Sequence, residues 1–127
     1  MSSKFSLVVI LLIFLSFQTL AADLRFYSVS ESDELCPGTT GLYVDAIENT
    51  GSEDVQVSVT NSGTASGFAT SVPQGLTIKP GQIKFVYTYV TPRSTTAEGT
   101  YSVQVNADSE KISHQLTVKD CFDYELK

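Results

Sequence analysis

One histidine, two cysteines and fourteen aspartates and glutamates are the side chains through which this chain could do chemistry. A serine-type nucleophile needs an imidazole backed by a carboxylate, and an exposed elbow such as G-x-S-x-G. His114 is present, but the elbow is not. A zinc centre needs several imidazoles or thiolates at close spacing, and thiol exchange needs a C-x-x-C pair. Cys36 and Cys121 stand far apart and meet neither requirement. Paired carboxylates serve glycoside hydrolysis, yet fourteen acids on a small domain fall near one another without any such role. No catalytic residue and no enzymatic activity are therefore expected. Glu31, Asp33 and Glu34, and the set Glu48, Glu53 and Asp54, are loop carboxylates of the kind that hold calcium. They lack Asp-x-Asp-x-Asp spacing, so a solvated acidic surface is the expectation, with no metal and no cofactor. A sugar would need an exposed aromatic platform, for which Tyr27, Tyr43, Phe68 and Tyr89 are candidates. The net charge of −6, with only 8 Lys and Arg, argues against a nucleic-acid or anionic-membrane footprint.

The compartment follows from the first residues. Lys4 precedes an apolar run, Phe5 to Phe17, broken only by Ser6 and Ser16; Gln18, Thr19, Leu20, Ala21 and Ala22 then lead to Asp23. This is the charged start, apolar middle and small-residue end of a secretory signal peptide over residues 1–22, cleaved after Ala21 or Ala22. The run is shorter than the ~20 residues a spanning helix needs. Its removal leaves roughly 105 residues, enough for one domain over residues 23–127 with no membrane span. Export places the protein in a secreted, periplasmic or cell-surface setting, where two thiols normally form a disulfide. A Cys36–Cys121 bridge would close a loop over most of the chain, worth about 4–5 kcal/mol in the chain-entropy account. The tail from Asp120 to Lys127 carries no sorting motif, so no anchor is expected there.

The elements that must position these residues are strands. Val55, Val57 and Val59 alternate with Gln56, Ser58 and Thr60; Tyr101, Val103 and Val105 alternate with Ser102, Gln104 and Asn106. Ile112, His114, Leu116 and Val118 alternate with Ser113, Gln115 and Thr117, which gives His114 the inward parity of a packed, hydrogen-bonded side chain. A period of two with one polar face marks half-buried strands of an antiparallel sheet. Turn signals at Asn49-Thr50-Gly51, Asn61-Ser62-Gly63, Pro80-Gly81 and Ala107-Asp108-Ser109-Glu110 separate the runs. Strands are predicted near 24–30, 41–48, 54–60, 67–72, 76–79, 82–90, 99–106 and 111–119. Seven or eight short strands in this length predict an all-β, immunoglobulin-like sandwich. The strand 82–90 is largely apolar or neutral on both faces, Lys84 being its one charge, as a central strand is. In 41–48, Leu42 and Val44 share one parity and Ile47 the other. A β-bulge near Asp45-Ala46 is predicted, because the alternative points Asp45 inward.

Ala46-Ile47-Glu48-Asn49-Thr50-Gly51 resembles the V-x-N-T-G turn of prokaryotic extracellular immunoglobulin-like domains. Among these are CARDB-type adhesion-related modules and the immunoglobulin-like companion module of some glycosidases. Leu76 to Gln82 resembles their L-x-PG-E/Q turn, and Val90-Thr91-Pro92 followed by Gly99-Thr100-Tyr101-Ser102-Val103 resembles their V-x-P … G-x-Y-x-V ending. The Gly99-Thr100-Tyr101 step also matches a tyrosine corner. The resemblance implies a non-catalytic exported domain serving envelope architecture, adhesion or protein–protein interaction, with an extracellular protein or glycan as partner. A carbohydrate-binding accessory module, and a fibre subunit that self-associates through edge strands, are the alternatives. The segment from Asp23 to Leu35 precedes the disulfide loop and would pair with its own sheet or with a neighbour's.

Overall fold

The computed structural model describes residues 23–121; the expected signal peptide, residues 1–22, and residues 122–127 lie outside that range. Among the described residues nine strands form: β1 (Leu24–Ser30), β2 (Glu34–Leu35), β3 (Gly41–Asn49), β4 (Val55–Ser62), β5 (Ala69–Val72), β6 (Gly75–Ile78), β7 (Ile83–Val90), β8 (Gly99–Ala107) and β9 (Glu110–Val118). They make two packed sheets, one in the order β1-β3-β7-β5 and the other β2-β9-β8-β4-β6. This is the expected β-sandwich with one element more. The extra strand, β2, has two residues, too few to show a period, and pairs parallel to β9 (Glu34 with Thr117, Leu35 with Val118). Residues 67 and 68, expected to begin a strand, belong instead to a short 3₁₀ turn, Ser66–Phe68, before β5. Asp23 to Leu35 pairs within its own molecule, through β1 on β3 and β2 on β9.

Turn chemistry sets the connections. Pro80 and Gly81 occupy the middle of a turn closed by Gln82 N–H to Lys79 C=O (3.0 Å); Gly81 has φ of 76°, which favours glycine. Gly63, after β4, has φ of 97°, and a Cβ there would lie 2.6 Å from the Ser102 carbonyl oxygen. Asn49, at the end of β3, is buried. Its amide donates to the carbonyls of Glu53 (2.6 Å) and Ile78 (2.9 Å), and its side-chain oxygen accepts from Gly51 N–H (2.9 Å). One asparagine thus ties the β3–β4 turn to β6. The Tyr101 hydroxyl donates to the Ala97 carbonyl at 2.7 Å, as a tyrosine corner requires.

The core has two apolar halves. One gathers Leu35, Tyr43, Ala65, Val90, Val103, Leu116 and Val118; the other Ile47, Val57, Val59, Ile78, Val86, Val105 and Ala107. A belt of polar side chains crosses between them. On β3, Asp45 separates Tyr43 from Ile47; on β7, Thr88 separates Val86 from Val90. Thr88 and Ser71 share a hydrogen bond of 2.6 Å, and Asn61 donates to Ser71 at 2.8 Å. Every buried side-chain polar atom among the described residues has a partner.

β3 corrects one expectation. Its pairing with β7 runs unbroken from Gly41–Val90 to Glu48–Ile83, with no bulge at Asp45-Ala46. The irregularity lies instead on β1, between Ser28 and Ser30. Tyr43, Asp45, Ile47 and Asn49 point inward, and Leu42 outward. The cost of burying Asp45 is met by a partner 69 positions away, His114.

Candidate functional site

His114 is 1% exposed. Its Nε2 lies 2.9 and 3.0 Å from the two Asp45 oxygens, and its Nδ1 lies 2.7 Å from Glu31 Oε2. The Tyr43 ring packs against it with centroids 4.8 Å apart, and the Tyr43 hydroxyl donates to the Ser32 carbonyl. An imidazole donates from both nitrogens only as the imidazolium. Burial opposes that charge, but the hydrogen bonds and charges of Asp45 and Glu31 prevail and raise the His114 pKa. Burial, followed by the charges of Glu31 and Asp33, pushes the Tyr43 hydroxyl up to about 12. The expected inward, hydrogen-bonded histidine is what the structure contains. With a carboxylate on each nitrogen, it has no lone pair to offer a substrate proton.

Three of the six acidic residues singled out for calcium have other partners. Glu31 bonds His114, Glu34 Oε2 pairs with Lys119 Nζ at 2.6 Å, and Glu48 Oε1 lies 3.6 Å from Arg25. Among the described residues no group of three or more His, Cys, Asp or Glu is placed to hold a metal ion. Cys36 and Cys121 form the disulfide, with Cα atoms 5.7 Å apart. Cys36 follows β2 directly and Cys121 lies three residues past the end of β9, so the bridge fastens the short edge strand to its parallel neighbour. Hydrogen bonds from Thr117 N–H to Asp33 C=O (2.8 Å) and Lys119 N–H to Leu35 C=O (2.9 Å) reinforce it.

The aromatic candidates divide. Tyr43 is fully buried, and Phe68 packs half-buried against the core, edge to face with Tyr101 at 5.8 Å; neither belongs to a platform. Tyr27 and Tyr89 do lie on one surface, the outer face of the four-stranded sheet. Phe85 and Tyr87, not foreseen as candidates, lie there with them. On β7 the inward positions are Val86, Thr88 and Val90; Ile83, Phe85, Tyr87 and Tyr89 point outward, each 40 to 45% exposed. Direct pairing brings Leu42 beside Tyr89, Val44 beside Tyr87 and Ala46 beside Phe85, and on the other side Val72 beside Tyr87. Tyr27 stands opposite Ala46 on β1, with the Arg25 guanidinium 4.8 Å from its ring centroid. A charged pair, Arg25 with Glu48, lies at one corner. The opposite sheet differs in kind: Gln56, Ser58, Ser102, Gln104, Asn106, Ser113 and Gln115 occupy its outward positions. One outer face is therefore apolar and aromatic, the other amide and hydroxyl.

No protein-family model matches the chain, and no curated protein matches its sequence. Solved structures match its fold. It superposes on part of a family 123 glycoside hydrolase from Clostridium perfringens with a TM-score of 0.61 and 12% identity, covering 76% of this chain and 27% of that one. On domains 4 and 5 of the S-layer protein SbsC the score is 0.53 at 12% identity, covering 74% and 50%. On a FixG-related protein from Vibrio parahaemolyticus it is 0.54 at 11%, covering 76% and 97%. The chain thus spans about a quarter of the first of these proteins and half of the second. At such identities the likeness establishes the fold alone. The chain is an all-β, immunoglobulin-like sandwich with one disulfide, and no helix among the described residues is long and apolar enough to cross a membrane.

Proposed function

We propose that this chain is a non-catalytic, exported immunoglobulin-like module that serves cell-envelope architecture or adhesion by binding other protein through the outer face of its four-stranded sheet. The observation that carries the reading is the contrast between its two outer faces. A sandwich needs only its inner faces to be apolar, yet this one adds a third apolar surface, on β3 and β7. Contiguous apolar patches of several hundred Å² on a small domain mark interaction sites. The apolar leader and the disulfide support export, and the motif resemblance to CARDB-type modules supports an adhesion-related role. The enclosed His114 supports a domain without catalysis.

A glycan platform is the second reading, favoured by the outward rings of Phe85, Tyr87 and Tyr89. Ile83, Leu42 and Val72 surround them where a sugar would need hydrogen-bonding groups, so the protein reading is preferred. The test is fractionation of the producing cells with Phe85→Ser and Tyr87→Ser introduced together. The wild-type protein is expected to co-fractionate with other envelope proteins, and the double variant, still folded and exported, to be released. Unchanged association would overturn the reading, and specific binding on a glycan array would replace it with the second.

A further inference from the structure

The proposed protein-binding face leaves open how its partner is held, and the inference here rests on that reading. β7 is a central strand over only half its length. β3 pairs with it from Val90 to Ile83, but β5 pairs with it only from Val90 to Tyr87. In an antiparallel ladder the backbone groups of successive residues turn to alternate neighbours. Asn49 N–H donates to the Gln82 carbonyl (3.1 Å) and Thr91 N–H to the Phe68 carbonyl (3.0 Å), so even positions of β7 bond to β3 and odd positions face the β5 side. Tyr87 and Tyr89 meet Val72 and Thr70 there. Phe85 would meet Gln74 in the same register, but Gln74 has crossed to the other sheet, where its carbonyl accepts from Val59 N–H at 2.8 Å. No strand among the described residues takes its place. The N–H and C=O groups of Phe85 and Ile83 are thus presented on an open edge, beside their own exposed side chains.

We infer that this half-edge is completed by a strand from another exported protein, an extended segment of the pattern apolar–acidic–apolar that lies antiparallel to β7. The backbone dictates the extended form. Phe85 and Ile83 each offer one donor and one acceptor, about 6.6 Å apart along a regular strand, and only an extended chain returns the complementary pair at that interval. The two sides of the sheet dictate the pattern. Residues opposite Phe85 and Ile83 would point outward, where they extend the apolar face that carries Tyr87 and Tyr89. The residue between them would lie opposite Lys84, on the other side of the sheet. The Lys84 ammonium donates to the Thr77 carbonyl at 2.6 Å and has no carboxylate partner among the described residues. A lysine on an open edge discourages pairing with an arbitrary strand, and an acid opposite it turns that discouragement into selection. Main-chain hydrogen bonds then supply the affinity, and the apolar face and Lys84 supply the choice of partner.

The test expresses the full chain with its own leader and follows its amides by NMR, with the capped synthetic peptide Thr-Ile-Glu-Ile-Thr as probe. In the free protein the Ile83 and Phe85 amides should exchange at least about tenfold faster than those of Val86 and Thr88, which bond to β3. The peptide should slow them. N-methylation of its two isoleucine nitrogens should abolish that effect. Lys84→Glu should weaken binding about tenfold or more, and Lys111→Glu, the same charge change on the other sheet, should leave it unchanged. Slow Ile83 and Phe85 amides in the free protein, no binding at millimolar peptide, or binding indifferent to N-methylation or to Lys84→Glu, each overturns the inference. So do polymers of this chain that vanish when residues 122–127 are removed, because Phe122-Asp123-Tyr124 carries the same pattern and the edge would then belong to a second copy's tail. The reading beneath is separated in the producing cells, where Lys84→Glu should release the protein from its envelope partners as the Phe85→Ser, Tyr87→Ser pair does. Release by that pair alone overturns the edge and leaves the face standing; release by neither overturns both. Near-wild-type circular dichroism and an intact Cys36–Cys121 bridge establish that each variant is folded.

Discussion

Replacing His114 by leucine isolates the energetics of the polar belt. The substitution removes the one side chain bonded to both Asp45 oxygens and leaves a fully buried carboxylate facing apolar neighbours. Breaking a buried pair from one side costs about 3–5 kcal/mol, a large part of the 5–15 kcal/mol that typically holds a domain folded. For a domain of about 100 residues the melting temperature should fall by about 15–30 °C. Asp45→Val in the same chain removes the stranded charge too. The double variant should return to within about 1–2 kcal/mol of wild type, since apolar groups replace a buried ion pair at little net cost. Glu31, about half exposed, then turns to water. The assay is urea unfolding with the disulfide intact, followed by circular dichroism because the chain has no tryptophan. The same melts carry a pH signature. His114 binds its proton more tightly folded than unfolded, so its contribution is complete below the ordinary histidine value near 6.5. It is lost as pH rises from there through the raised folded value. Wild type should weaken across that window, and the double variant should not. A His114→Leu cost below about 1 kcal/mol, or a wild-type midpoint that rises with pH above 6.5, would refute the account.

Three further outcomes are expected. Reducing Cys36–Cys121 should cost about 2–5 kcal/mol in urea melts and, because the bridge closes on the β2–β9 edge, should first release β2 amides in hydrogen exchange. Asn49→Ala should cost about 2–4 kcal/mol by stranding the Ile78 carbonyl inside the core, with equal loss of β3–β4 and β6 protection as the check. Tyr101→Phe should cost about 1 kcal/mol, since one hydroxyl-to-carbonyl bond goes while the ring stays against Phe68; thermal melts measure it.

Strands with one polar face were legible in the sequence. β4, β8 and β9 alternate cleanly, because their outer sheet faces water and the period of two records it. β7 was legible as a central strand, but its inward face was not. Val86, Thr88 and Val90 are no more apolar than Phe85, Tyr87 and Tyr89, so alternation carries no sign there. Phe85 and Tyr87 were therefore not among the aromatic candidates, although Tyr89, of the same parity on the same strand, was. β3 misled for a different reason. Asp45 is tolerable inside only because His114 is there to meet it, and a contact 69 positions away leaves no trace in local pattern. The parallel strand β2 was invisible because two residues beside a disulfide need no propensity of their own.

The polar belt also discriminates between alignments that oil and water cannot tell apart. A slip of β3 by two residues along β7 keeps every inward side chain inward, so burial alone opposes it weakly. The same slip would carry Asp45 off His114 and into one of the apolar halves, and would set an aliphatic or aromatic side chain against the imidazole. Moving β7 instead parts Thr88 from Ser71. Asp45, His114, Thr88, Ser71 and Asn61 therefore act as teeth of a key cut across both sheets, fixing which residue of each strand meets which.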